Sequence, residues 1–570
     1  MAQTGEQAVE NQTGAKERWK EAVLLLLLAA TLVHIAIYFN RFEVPNTDFF
    51  AFRRDALAYM QGRLPENFKR GPVYPLLMGL VSRVLPASEP ELFAGELVNA
   101  ALTLLLVYLV FRIATALMGS GGVVVAFGVA ISPVLMPSAT QPLAEASLAV
   151  GIALTFYLAM KGSPAAYAAA AVASMTRYEA ALLLPLLVVK DLYARKRLLP
   201  TLMRGAAAAT PLALWFVLSL THKAVLNPYV DEVVKLQPAG VGNLVSCVAI
   251  SFKFLAPFAR RAVGLAGGSL PEALTAAGAC VVLAVVFGGL VLLARKGQAI
   301  GWMLALFLAG YLVIHTFFWW AIEERYTYIV LWIVLLGVVA VLRELPLPQR
   351  ALKSGLVRSV LVACTALVAV AGAIAIGLRG GVLQAVVFLL FASAAVVGAF
   401  LGSNRTLTAT AVVLGVVGVA CALGGIAVTA NDMAKMRDYR APYRLAGEWL
   451  RAHVEEDVRV VSLLPLTLAY YAGLPDDRVR GYFAFSGASC DDFAARLMDS
   501  DVDYVVWDSQ AAAEKRAYSS VLHRVDLMRC LFSEEGEPLV PNLSLAAVIS
   551  VDQKRLRIFR VERPTQPHTG

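Results

Sequence analysis

Asp48, in the segment NTDFF, follows the first long apolar run by nine residues and opens a helical stretch over 49–61. Lys69 and Arg70 come next, in FKRGPVYP, and Glu145 stands in TQPLAEAS. Arg177, Tyr178 and Glu179 form the middle of TRYEA, and Glu323, Glu324, Arg325 and Tyr326 end WWAIEERY. Carboxylates of this kind can take a proton from an attacking hydroxyl, while guanidinium, ammonium and phenol groups can hold a phosphate. The combination suits group transfer from an anionic lipid donor. No Gly-rich phosphate loop, GxSxG elbow or HExxH accompanies it, so nucleotide hydrolysis and the common hydrolase chemistries lack their residues.

Each residue also has a plainer reading. Asp48 could cap the helix it opens, Arg177 with Glu179 and Arg325 with Glu323 could close helix ends, and Lys69 and Arg70 could touch lipid headgroups. Glu145 could be a solvated loop acid or a helix-start acid favoured by the dipole, and Trp319, Trp320, Tyr326 and Tyr328 could form an interfacial belt. What sets the group apart is its gathering at one depth, close to apolar segments where unpaired charge is expensive.

The elements that must position these residues are membrane helices. Of the 570 residues 59% are apolar and 16% charged, with mean hydropathy +0.67, whereas soluble chains approach a quarter charged. Spans are expected near 22–39, 95–117, 122–138, 143–160, 164–176, 178–193, 205–221, 273–294, 299–320, 326–342, 357–377, 382–401 and 407–429, about thirteen in all. The stretch 163–193 reads as two short spans with TRYEA at the tip. That choice collects Lys16, Lys161, Lys190, Arg195–Arg197, Arg295, Lys296, Arg343 and Arg405 on one side, which the positive-inside rule makes the cytoplasm. A cytoplasmic arm over 1–21 therefore precedes a membrane domain over 22–429, with long outer loops near 40–94 and 221–272 that are expected to lie along the membrane surface as amphipathic helices.

About 39 of the 91 charged residues lie beyond Ala430, and alternating strand and helix patterns there read as a small extracytoplasmic α/β domain over 430–570. The predicted elements are a helix over 439–453, strands at 458–463 and 504–507, and a late pair near 546–551 and 556–561. The net charge of +9 comes from basic loops and is a topology signal, so no nucleic-acid partner is expected. Six cysteines show no metal-binding or redox spacing, and at most one disulfide, Cys490 to Cys530, is plausible. Asn542, in NLS, fits an N-glycosylation acceptor, and His315 reads as a packing residue.

The acidic residue after the first span within D(x)nA(x)2Y, the downstream RGPVYPLLMGL, the TRYEA tip and the EERY opening a late span together resemble the GT-C superfamily of polytopic glycosyltransferases. The chain is most similar to its protein O-mannosyltransferase and lipid A aminoarabinose transferase branch, over about 22–342. The resemblance implies a polyprenyl or dolichyl phosphate sugar as donor substrate, an outer-face site and an inverting displacement onto a hydroxyl of a glycan, lipid or protein acceptor. It makes Asp48 the general base and maps phosphate contacts to Lys69, Arg70, Arg177 and Arg325, with Tyr178 and Tyr326 beside them. Glu145, Glu179, Glu323 and Glu324 are supporting acids, and neither a cofactor nor a metal is expected. Where protein mannosyltransferases carry an Asp-Glu pair, this chain has Asp48 followed by Phe49, which argues against a protein acceptor. WWAIE replaces the WWDYG of oligosaccharyltransferases. The alternative readings are a secondary transporter or lipid flippase, whose charges would line a path across the bilayer, and a membrane scaffold carrying an exported binding domain.

Overall fold

The computed structural model describes residues 3–65, 68, 70–221, 241–255, 272–296, 299–317, 323–344, 382–401, 408–455, 457–485, 489–509, 530–533, 535–552 and 554–563. Helix α1 (Gln3–Tyr38) is continuous, so the polar arm expected over 1–21 is the first part of the helix whose apolar stretch starts at Trp19. Past its end Asn40 takes a left-handed conformation (φ 52°), which Asn tolerates, and its N–H donates to Glu96 (2.9 Å). The first outer loop then folds as α2 (Thr47–Met60) and α3 (Val73–Ser82) before α4 (Pro90–Met118), which begins with proline at a position where no helical N–H is needed.

The bundle continues with α5 (Gly121–Ala130), α6 (Leu135–Thr140), α7 (Glu145–Met160), α8 (Ala165–Ser174), α9 (Leu183–Tyr193), α10 (Leu198–Thr221) and α11 (Val241–Ser251). It closes with α12 (Glu272–Arg295), α13 (Ile300–Phe317), α14 (Glu324–Glu344), α15 (Val382–Leu401) and α16 (Thr408–Arg437). Helices occupy every stretch read as a span except 357–377, which lies outside the described residues. Five of the described helices, 19–38, α4, α10, 276–295 and α14, are each long and apolar enough to cross a membrane. Packing between them uses small residues: a Cβ on Gly289 of α12 would lie 1.9 Å from Gly337 O of α14, so these two backbones meet only because both positions are glycine. The interior is filled by large side chains, with Trp332, Phe156 and Phe307 all fully buried.

Both outer loops contain helices with one face turned to protein. Helices α2 and α3 pack on each other through Phe49, Phe50, Phe52, Tyr74 and Met78, and Tyr470 and Tyr471 of the tail cover them. Burial of each of these rings is worth about 1.5–3 kcal/mol. Helix α11 packs against α12, α13 and α14, with Cys247 buried and Asn243 Nδ2 donating to His315 O. Asn243, Cys247 and Ser251, four residues apart, form its buried face, while Gly242 and Ala249 are exposed. Residues 222–240 and 256–271 of that loop lie outside the described residues.

Helix α16 runs on to Arg437, past residue 430 where the hydropathy pattern places the start of the tail. The tail comprises α17 (Ala441–His453), β1 (Val460–Ser462), α18 (Pro465–Ala472), β2 (Val479–Gly481), α19 (Cys490–Met498), β3 (Tyr504–Asp508), β4 (Leu543–Val551) and β5 (Lys554–Val561). Its sheet has the order β2-β1-β3-β5-β4, with β1 parallel to β2 and β3, and β5 antiparallel to β3 and β4. Cys490 and Cys530 are bonded, tying α19 to a distant segment. Sequence reading finds α17, β1, β3, β4 and β5 but not α18, β2 or α19, which are short.

The tail docks on the first outer loop. Phe50 meets Tyr470 at 5.2 Å between ring centroids, Tyr470 OH donates to Glu89 (2.7 Å), and Arg444 pairs with Glu43 (2.9 Å). A cavity of about 440 Å³ remains at this junction, lined by Glu43, Glu89, Arg444, Glu448, Tyr470 and their neighbours.

Candidate active site

Asp48 occupies the second residue of α2, and the cap of that helix is Asn46, whose side chain accepts the Asp48 N–H (3.1 Å). The Asp48 carboxylate is therefore not used as a cap. It projects to two guanidinium groups instead: Arg70 Nη2 donates to Oδ1 (2.6 Å) and Arg325 Nη1 donates to Oδ2. Burial pushes this carboxyl up, but the two arginine charges and their hydrogen bonds outweigh it and hold it well below the usual carboxylate range.

Arg70 reaches Asp48 because RGPVYP lies flat on the TRYEA tip. A Cβ on Gly71 would sit 2.0 Å from Met175 O, and Val73 N–H donates to that same oxygen (3.4 Å). Glycine is required for the close approach. The tip itself forms because Arg177 is extended (φ −150°, ψ 141°) between the end of α8 and a 3-10 turn over Tyr178–Leu182. Tyr178 OH donates to Phe68 O (2.6 Å) and accepts from Trp215 Nε1 (3.1 Å), so its phenol fastens the Arg70 loop to α10.

Arg177 is the second hub. Its guanidinium pairs with Glu145 (3.0 Å) and Glu179 (2.8 Å), and it lies over the Tyr326 ring, 5.3 Å from the centroid. Glu145 is 1% exposed at the start of α7, so it is neither solvated nor free. Asn99 of α4 holds the preceding turn by donating to Ser138 O, Gln141 O and Leu143 O. Arg325 pairs with Glu323 (2.8 Å), approaches Glu145 (3.9 Å), donates to Tyr326 OH (3.1 Å) and also faces that ring (4.9 Å). Tyr326 thus separates two guanidinium groups and accepts a bond from one of them.

The structure brings Asp48, Arg70, Glu145, Arg177, Glu179, Glu323, Arg325 and Tyr326 into one cluster on the tail-bearing face. Lys69 lies outside the described residues. Glu324 turns the other way, pairing with Lys253, which also pairs with Asp432 of α16 (2.6 Å). His315 is a packing residue: its Nδ1 lies 2.9 Å from Tyr311 O, and its ring sits between Tyr311 and Tyr326.

Sequence reading passes over Arg440. It stands just past α16, at the start of α17, and the charges that reach it are those of Arg325, Asp48 and Glu323. Its only sequence signal is a basic residue beside tyrosines, DYRAPYR, a few residues after the last apolar run.

The arrangement can hold an anion between arginines and present a carboxylate to a hydroxyl beside it. No family model and no curated protein matches the sequence. Among solved structures, the crystal structures of ArnT from Cupriavidus metallidurans, one bound to undecaprenyl phosphate and one in the apo state, are similar to this chain. Each aligns with a TM-score of 0.52 at 14% identity, covering 94% of this chain and 97% of the other. A likeness spanning bundle and tail together identifies the architecture: the chain shares the fold of these ArnT structures.

Proposed function

We propose that this protein is a membrane glycosyltransferase that moves a sugar from a polyprenyl or dolichyl phosphate donor to an acceptor hydroxyl on the outer face of the membrane. The observation that carries the reading is the Asp48 carboxylate held between Arg70 and Arg325. One carboxylate and two arginines in contact are the parts that a displacement at a sugar phosphate needs. The ArnT fold, solved with undecaprenyl phosphate in one instance, supports the donor class. The Cys490–Cys530 disulfide supports an oxidising compartment for the tail, hence an outer site.

The acceptor oxygen attacks the anomeric carbon of the donor, the bond from that carbon to the phosphate oxygen breaks, and polyprenyl phosphate leaves with the electron pair. The acceptor proton passes to Asp48, and the configuration inverts. With both arginines on it, Asp48 is a poor base. The donor phosphate is a stronger partner for guanidinium than a single carboxylate, so donor binding draws Arg70 and Arg325 away and raises the basicity of Asp48 when substrate is present. Arg177 and Glu145 keep Tyr326 and Arg325 in place. No cofactor takes part in this scheme.

Membranes carrying the wild type or Asp48→Asn are incubated with labelled polyprenyl phosphate sugars, hexosyl and pentosyl, and an extract of native acceptors. Transfer by the wild type and a loss of at least about a hundredfold in the variant is the expected result. Equal transfer by both would remove Asp48 from the chemistry, and no transfer from a broad donor panel would favour a transporter.

A further inference from the structure

The cluster that the bundle brings together is short of positive charge for a second anion. Among the described residues Arg70, Arg177 and Arg325 face Asp48, Glu145, Glu179 and Glu323, so carboxylates outnumber guanidinium groups. A phosphate entering such a cluster meets an excess of negative charge. Further cations are needed nearby, and the tail supplies two of them.

Arg440 and Lys554 share one aromatic ring. Lys554 Nζ lies 4.2 Å from the Tyr439 ring centroid and Arg440 Cζ lies 5.4 Å from it, while Tyr439 itself is 37% exposed. Neither cation reaches a carboxylate within ion-pair distance among the described residues. Asp438, Asp552 and Asp508 are the acidic neighbours of Lys554; Asp438 is paired with Arg437 (3.7 Å), and Asp508 accepts from Tyr443 OH (2.6 Å). Arg440 also lies within electrostatic reach of Arg325, Asp48 and Glu323.

This placement is fixed from both directions. Glu43 N–H donates to Arg437 O (3.2 Å) and Arg444 pairs with Glu43 (2.9 Å), so the chain leading into Asp48 is clipped to the tail on each side of Arg440. Two cations gathered on an open ring at the edge of a carboxylate-rich cluster cost electrostatic repulsion in the empty protein. An anion bound between them removes that cost.

We infer that Arg440 and Lys554 of the tail, with Tyr439 as their shared platform, form a second anion-binding subsite at the edge of the Asp48 cluster that takes a phosphate-class group. The inference rests on the glycosyltransferase reading for its biological sense. The phosphate could belong to the donor or to an anionic acceptor, and the subsite makes the tail part of the substrate-binding surface.

The test uses the full chain in lipid nanodiscs and two probes. Farnesyl phosphate stands for the donor leaving group. Glucose 1-phosphate, added with farnesyl phosphate saturating, stands for an anionic acceptor. Arg440→Gln and Lys554→Gln are each expected to weaken binding of one probe about tenfold, the scale of one charge-assisted contact. Arg440→Lys should retain most of the affinity, and Arg560→Gln, which removes an exposed charge further along β5, should change nothing. An effect on farnesyl phosphate assigns the subsite to the donor; an effect on glucose 1-phosphate alone assigns it to the acceptor. Unchanged binding of both probes, with Arg70→Gln still weakening farnesyl phosphate, overturns the subsite and leaves the glycosyltransferase reading standing. If Arg70→Gln is also without effect, both fall.

Discussion

Arg325 donates to Asp48 across 277 positions of sequence, joining the start of α14 to the start of α2. Each residue neutralises the other, and a site built this way is locked until something displaces one of them. That relationship makes an unusual prediction for Asp48→Asn. The amide cannot compete for guanidinium as a carboxylate does, so Arg70 and Arg325 become freer for phosphate. Farnesyl phosphate should bind the variant several-fold more tightly than the wild type, while sugar transfer is lost. Weaker binding in the variant would show that Asp48 orders the arginines for phosphate and does not compete with it.

The same pair sets a pH signature. Asp48 is held well below the usual carboxylate range, so its folded-state value lies under the unfolded value of about 3.9. A depressed group contributes stability that is complete above the unfolded value and is lost as pH falls through the folded one. The difference in melting temperature between wild type and Asp48→Asn should therefore be constant from pH 5 to pH 8 and should narrow only below about pH 4. A difference that changes between pH 6 and pH 7 would contradict the arginine clamp.

Much of this cluster is legible in sequence because each charged residue flanks an apolar run, and the end of a run fixes its depth in the membrane. Depth alone does not give direction around a helix. Glu323 and Glu324 are neighbours in sequence, yet one pairs with Arg325 and the other with Lys253, because Glu323 precedes α14 while Glu324 is its first helical residue. Arg440 is illegible for a different reason. It follows a helix that outlasts its apolar stretch, in a segment where charges of both signs alternate, and only the contacts of Glu43 with Arg437 and Arg444 bring it beside the segment leading to Asp48. The disulfide is only plausible in sequence, where Cys490 and Cys530 are the two cysteines of the tail, and nothing in an apolar segment of eleven residues tells which face of α11 meets the bundle.

Glu145 gives a prediction about stability. It is 1% exposed and its close partner is Arg177. Removing that partner leaves a buried carboxylate with only the longer Arg325 contact (3.9 Å), a change that costs up to about 3–5 kcal/mol. Arg177→Met should lower the melting temperature strongly, and adding Glu145→Gln should recover a large part of the loss, since the uncompensated charge is then gone. A double variant no more stable than Arg177→Met would assign the loss to the Tyr326 and Glu179 contacts instead.

Gly71 tests whether the Arg70 loop is positioned by contact with the TRYEA tip. A Cβ there would meet Met175 O at 2.0 Å, and backbone on the tip cannot yield as a side chain can. Gly71→Ala must therefore lift residues 68–73 away from the hairpin. Phe68 O would leave Tyr178 OH, and Arg70 would retreat from Asp48. Farnesyl phosphate affinity should fall about as far as it does for Arg70→Gln, and Gly71→Ala combined with Arg70→Gln should fall no further than either alone, because both remove the same contact. Gly62 is the control, since alanine there meets no atom within 4 Å and strains only its own backbone at φ +71°. If Gly62→Ala weakens phosphate binding as much as Gly71→Ala, the loss follows loop strain in general, and the close packing on Met175 is not what aims Arg70.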